Sequence, residues 1–250
     1  MDKRDRDDRL TELGNHFVII NINEKLPAVV RGIQEGLGFG DEGRDIVIVV
    51  QDEQLWREHA EWHPVELAPH RLHVVTGCPG DPEDLCLAHL DRCSTALILA
   101  DPAEGELSDA KCALIALAIE QQNPRVHTVI ELVQSKHRVH LARTEVNEVV
   151  CMGKLAEELL AQCTISPGIL AIIGDLLDNS PDSPSFRTIP VPEALIGLSY
   201  REAVERSIDE EHPYAISGYC QRGNGRRILN PRGPDKDVVL GKEDDLVVIG

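Results

Sequence analysis

The sequence predicts an α/β protein, a doubly wound parallel sheet followed by a smaller α+β lobe. Three observations carry this reading. Short uninterrupted apolar runs rich in β-branched residues recur at Phe17–Ile20, Ile46–Val50, Leu72–Val75, Thr95–Ala100 and Val126–Leu132. Between them lie segments with apolar residues every three or four positions, the helical spacing. Runs that are apolar throughout bury both faces of a strand, whereas alternating runs bury one, so the sheet is expected to be parallel and covered on both sides by the intervening helices.

Taken in order, residues 1–14, MDKRDRDDRLTELG, mix acids with bases and offer almost nothing to bury, which suits a linker or a frayed helix continuing from an upstream segment. After the first strand, Leu26, Val29, Val30, Ile33 and Leu37 mark a helix. Pro27 is tolerated only in that helix's first turn, where its missing N–H has no partner to lose, so it fixes the start. Further helices are expected near 53–63, 82–90, 107–122 and 135–144, and Glu148–Cys151 offers a sixth strand. A long, mostly apolar helix runs from about 153 to 178.

Two prolines among small polar residues in Asn179–Ser185 cannot continue a helix, and the domain boundary is placed there. Beyond it the pattern gives a strand at Phe186–Val191 and a helix near 199–210. Three strands follow, around Tyr214–Cys220, Arg226–Asn230 and Leu246–Ile249, with Gly-Asn-Gly at 223–225 turning the first into the second. The expected organisation is a linker (1–14), a sheet lobe (15–152), a crossover helix with its linker (153–185) and a C-terminal lobe (186–250).

With 25 Lys and Arg against 43 Asp and Glu, the net charge of −18 excludes a sequence-independent grip on nucleic acid, which needs clustered cations. No apolar run approaches the roughly 20 residues of a bilayer span, and the charged start lacks a signal peptide's apolar region. A soluble chain is expected, reaching a membrane only through a partner or another segment. The seven cysteines show no C-x-x-C pair and sit in apolar segments, so they are read as small buried hydrophobes in a reducing compartment.

The first strand-to-helix turn is where a doubly wound fold places phosphates. Its usual glycine fingerprint is replaced here by Asn21, Asn23 and Leu26. Asn can take the left-handed conformation of such a turn, but Leu at the third position pushes helix from strand, so a worn site and a working one both stand. Asp52, ending the second strand, is either a ribose-binding acid or a helix cap. Asp101 closes the fourth strand and Glu131 lies in the fifth, near the carboxyl ends where ligands bind in open α/β sheets.

Covalent hydrolysis would call for a G-x-S-x-G elbow, which is absent, and hydride transfer for an intact glycine turn and a polar catalytic domain. No enzyme activity is therefore expected. His59 with His63, and His137 with His140, read as exposed helix faces rather than zinc ligands. Asp175 and Asp178, with Asp182 beyond, share a helix face that offers oxygens to calcium, or simply forms the polar end of a helix in an acidic protein.

The order of these parts resembles the RCK family, regulators of conductance of potassium. The resemblance runs from Asn15 to Gly250 on Asn15–Ile20, Val74–Leu85, Ala96–Asp101, Thr128–Leu132, Ile165-Ser-Pro-Gly168 of the long helix, and Ile228-Leu-Asn-Pro231 with Gly241–Gly250. It implies a Rossmann-like N-lobe, a crossover helix exchanged between two copies in a homodimer, and a C-lobe, with dimers joined into an octameric gating ring. The ring would lie on the cytoplasmic side of the membrane, under a potassium channel pore domain or, as the alternative, as a detached regulator of a Trk or Ktr type transporter subunit. An NAD-dependent oxidoreductase is the reading from another class, and a pure assembly domain with no ligand is a further one. Carried over by position, the nucleotide-facing residues are Asn21, Asn23, Asp52, Gly77, Asp101 and Glu131, for NAD(H) or an adenine nucleotide. Calcium would fall to Asp175 and Asp178.

Overall fold

A computed structural model describes residues 13–36, 44–62, 71–142, 144–178, 183–209 and 213–250. The chain divides after Ile165 into two compact units. Most of the expected linker, residues 1–12, lies outside the described residues, as do His63 and Asp182.

The first unit is built on six parallel strands: β1 (Phe17–Ile20), β2 (Ile46–Val50), β3 (Leu72–Thr76), β4 (Thr95–Ile98), β5 (His127–Leu132) and β6 (Glu148–Cys151). Their order across the sheet is β3-β2-β1-β4-β5-β6. Central β1 registers Ile19 against Ile48 on one side and Leu97 on the other. Helices α1 (Leu26–Gly36), α2 (Glu53–Trp62), α3 (Pro82–Cys86) and α4 (Glu106–Gln122) connect the strands, and α5 (Met152–Ile165) follows β6.

All five residues of β2 are buried, and alternate ones serve different cores. Val47 and Val49 join Val18, Ile20, Cys112, Ile115 and Ile119 on one face. Ile46, Ile48 and Val50 join Ile19, Leu26 and Val30 on the other. This two-sided burial is what the uninterrupted apolar runs encode, each fully buried Val or Ile contributing about 1.5–3 kcal/mol.

The second unit contains α6 (Ile169–Leu177), α7 (Tyr200–Asp209) and four antiparallel strands: β7 (Phe186–Pro190), β8 (Ala215–Gln221), β9 (Arg226–Leu229) and β10 (Asp245–Ile249). They lie in the order β7-β10-β8-β9 over a core of Leu195, Ala203, Tyr219, Leu240 and Leu246. Gly218 is required where β8 meets β9, since an added Cβ would sit 2.2 Å from the Ile228 carbonyl oxygen.

Both layers of the expected α/β architecture are present, with three local differences. The helix expected near 82–90 stops at Cys86 and resumes as a 3-10 turn at Leu90–Arg92, after His89 takes the left-handed conformation (φ 49°). The helix near 135–144 is a 3-10 segment, Ser135–Leu141. The long helix over 153–178 is two helices, α5 and α6, because Pro167 has no N–H to donate and Gly168 turns left-handed (φ 88°). Neither α5 nor α6 has a buried residue. Among the described residues no helix is long and apolar enough to cross a membrane.

The cysteines divide. Cys93 and Cys112 are buried, and burial pushes both thiols up to about 12. Cys78 and Cys86 are exposed, against the expectation of uniformly buried cysteines, because the loop after β3 and the short α3 leave them at the surface.

Candidate functional site

The strand order reverses between β1 and β4, so the connections leaving their carboxyl ends run to opposite sides and open a crevice between them. Two arrangements occupy this crevice.

The first is a buried stitch. Asn21 follows β1 in the left-handed conformation (φ 67°) and donates its amide to the Leu99 carbonyl, 3.0 Å away. Asn23 is buried and spends both amide hydrogens, on the Ala100 carbonyl at 2.7 Å and on Glu131 Oε2 at 3.0 Å. Its Oδ1 accepts the Lys25 N–H at 3.0 Å. Glu131, also buried, takes the Ala100 N–H on Oε2 and pairs its Oε1 with Lys25 Nζ at 3.1 Å. Burial pulls the Lys25 ammonium downward, but its bonds to Glu131 and Glu24 outweigh that and hold it above its usual value. The side chains of the first turn thus tie β1 to β4 and β5.

The second is a cavity of about 310 Å³ beside the stitch. Its polar wall includes Asn21, Gln51, Asp101, Glu104, Ser108 and Lys111, and its apolar wall includes Ile22, Val50, Leu55 and Leu114. Asp101 caps the 3-10 turn Pro102–Glu104 by accepting the Ala103 N–H at 2.9 Å, and its own N–H donates to Ser108 Oγ at 2.7 Å. Lys111 Nζ donates to both oxygens of Glu104, at 2.6 and 2.8 Å. The exposed Cys78 stands at the rim.

Of the six positions carried over for a nucleotide, Asn21 and Asp101 line the cavity, and Asn23 with Glu131 form the stitch behind it. Asp52 caps α2, accepting the Leu55 N–H at 2.8 Å, while its neighbour Gln51 faces the cavity. Gly77 is a site of close approach, where a Cβ would meet that of Asp84 at 2.8 Å, and Asp84 in turn accepts the Cys78 N–H. Asp175 and Asp178 are exposed, and Asp178 accepts the Ser183 hydroxyl at 2.6 Å. Among the described residues no group of three or more His, Cys, Asp or Glu side chains is placed to hold a metal.

Lys25, Gln51, Glu104, Ser108 and Lys111 went unread in the sequence. The spacing of Glu104 and Lys111 across a helix start was the one available signal, and it fits an ordinary surface pair equally well.

A doubly wound sheet with a polar crevice at its switch point and a small antiparallel companion defines a Rossmann-like domain with an α+β lobe. Residues 14–130 match the family described as the calcium-activated potassium channel slowpoke-like RCK domain, which supports an RCK domain over that stretch. In fold it is similar to the human SLO3 gating ring, with a TM-score of 0.69 and 16% identity over 94% of this chain and 44% of that one. In sequence it is 22% identical to the ion channel POLLUX of Lotus japonicus over 92% of this chain, and 23% identical to the probable ion channel POLLUX of Oryza sativa subsp. japonica over 94% of it. The chain spans 26% and 24% of the lengths of these two relatives.

Proposed function

We propose that the chain is the ligand-sensing regulatory module of a potassium-conducting channel, coupling occupancy of the crevice cavity to a pore carried outside this chain. The observation that carries the reading is the cavity itself, set at the switch point and walled by polar groups of three loops and of α4. Ligand binding there would change the packing of β1, β2 and α4 and so bias a ring between two states. No catalysis is assigned to it, since Asp101 is engaged as a cap and Lys111 as an ion-pair partner. The likeness to a gating ring and to ion channels supports the reading. So do the apolar residues that α5 and α6 leave uncovered, including Leu160 and Ile165 on one and Leu170 and Leu177 on the other. These are surfaces for homodimers and for the octameric ring built from them, on the cytoplasmic side of a membrane.

The test is alkylation of the full chain, followed by mass spectrometry, with adenosine, ADP, NAD and calcium supplied in turn. Cys78 at the cavity rim is expected to be protected by the ligand, whereas Cys86, equally exposed but outside the cavity, is not. Unchanged labelling of Cys78 by every member of the panel would overturn the reading. Light scattering on the same samples should give the mass of a dimer or a larger ring, and a monomer would remove the assembly.

A further inference from the structure

We infer that the cavity takes a phosphate-free nucleoside and rejects nucleoside diphosphates and dinucleotides; this rests on reading the cavity as the sensing site. A diphosphate in a doubly wound fold sits on the first turn, held by free N–H groups at the start of the following helix. Here two of those groups, and the lysine beside them, are engaged. The Lys25 N–H goes to Asn23 Oδ1, the Leu26 N–H to the Asn23 carbonyl, and the Lys25 ammonium to Glu131. Glu131 adds a fixed carboxylate where the phosphates would need positive charge. The stitch therefore fills the diphosphate subsite with the protein's own anion and its own donors.

The cavity beside it offers phosphate no substitute. Among the described residues lining it, Lys111 is the only cation, and both Glu104 oxygens hold it. Asp101 leaves the wall net negative. What remains suits a neutral ligand with one flat apolar part and several hydroxyls. Val50, Leu55 and Leu114 form an apolar slot for a base, while the Asp101 carboxylate and the amides of Asn21 and Gln51 can meet a ribose. A volume of about 310 Å³ accommodates one nucleoside.

Isothermal titration of the full chain with adenosine, AMP, ADP and NAD tests the order of affinities. Adenosine is expected to bind tightest, with ADP and NAD at least about tenfold weaker, the effect of one charged contact turned from attraction to repulsion. Tighter binding of ADP or NAD, with Cys78 protected, would overturn the inference and leave the sensing site standing. Absence of adenosine binding would overturn it too, and if no member of the panel protected Cys78, the sensing site would fall with it. Glu104→Gln provides a second readout on an exposed pair, so folding is not at stake. Releasing Lys111 should improve AMP binding about tenfold relative to adenosine in the same protein. Equal AMP affinity in the two proteins would show that the engaged lysine does not set the selectivity.

Discussion

The two sides of the crevice use neighbouring residues for opposite ends. On the β1–β4–β5 side, Asn23 and Glu131 are buried, and both polar side-chain atoms of Asn23 have partners within the chain. On the side facing β2, Asn21, Gln51 and Asp101 turn toward an open cavity. Asn21 and Asn23 stand two residues apart, yet one lines the cavity and the other is part of the wall behind it. The contrast shows how a Rossmann-like domain can lose its phosphate subsite without losing its crevice. A carboxylate from β5 and a lysine from the first turn replace the ligand's charge, and the remaining space stays available to a smaller molecule.

If the stitch is structural, breaking it should cost stability, and the largest loss is expected from Glu131→Ala. That change strands one Asn23 amide hydrogen and the buried Ala100 N–H and leaves Lys25 with Glu24 alone, and about 3 kcal/mol should disappear from urea unfolding followed by circular dichroism. Asn23→Ala leaves Glu131 its lysine and the Ala100 N–H, so a smaller loss of about 2 kcal/mol is expected. Midpoints unmoved by both changes would mean that the network is incidental, and the argument for a filled phosphate subsite would weaken with it.

How much of this was legible in advance differs between strands and site. The strand runs announced themselves because two-sided burial demands continuous apolar sequence, and Ile46–Val50 is strand throughout. The pair of prominent breaks was read unevenly. The proline-rich stretch at 179–185 reads as a boundary, whereas Ser166-Pro167-Gly168, embedded in apolar residues, reads as continuous helix although it falls where the two compact units meet in sequence. Apolar pattern outweighed local backbone chemistry in that reading. For the site, Asn21, Asn23, Asp101 and Glu131 were found by their place at strand ends. Lys25 has no signal because an ion pair across the fold leaves no periodic trace, Glu131 lying 106 positions beyond it, whereas Lys111 and Glu104, seven apart, read as an ordinary surface pair.

Asp52 separates the two sides in a different way. Its carboxylate caps α2 and does not line the cavity. Asp52→Ala should therefore cost about 1 kcal/mol, the usual loss for a helix cap, in the same urea titration. Cys78 protection by adenosine should be unchanged. A large fall in ligand affinity with little change in stability would instead make Asp52 a ribose-binding acid and move the ligand closer to β2.

The gentlest expected effect comes from the opposite end of β1, where His16 is buried and its Nε2 lies 2.9 Å from the Ala88 carbonyl. Its Nδ1 has no hydrogen-bond partner. Burial holds this imidazole below its ordinary value of 6.5, and His89 and Arg92 push it further down while the Ala88 carbonyl and Asp45 oppose them. The unfolded chain takes up the proton near 6.5 and the folded chain only at lower pH, so between those points the unfolded state holds more protons. Stability should thus fall as the pH drops below 6.5, with this histidine supplying part of the slope. His16→Gln retains a donor toward Ala88 without a titrating ring and should flatten that part of the profile. Adenosine affinity should stay constant over the same window, because His16 stands at the end of the strand away from the cavity. Parallel loss of affinity and stability on acidification would mean that the two ends of β1 respond as one body, and that the crevice is less independent of its scaffold than the contrast between its two sides implies.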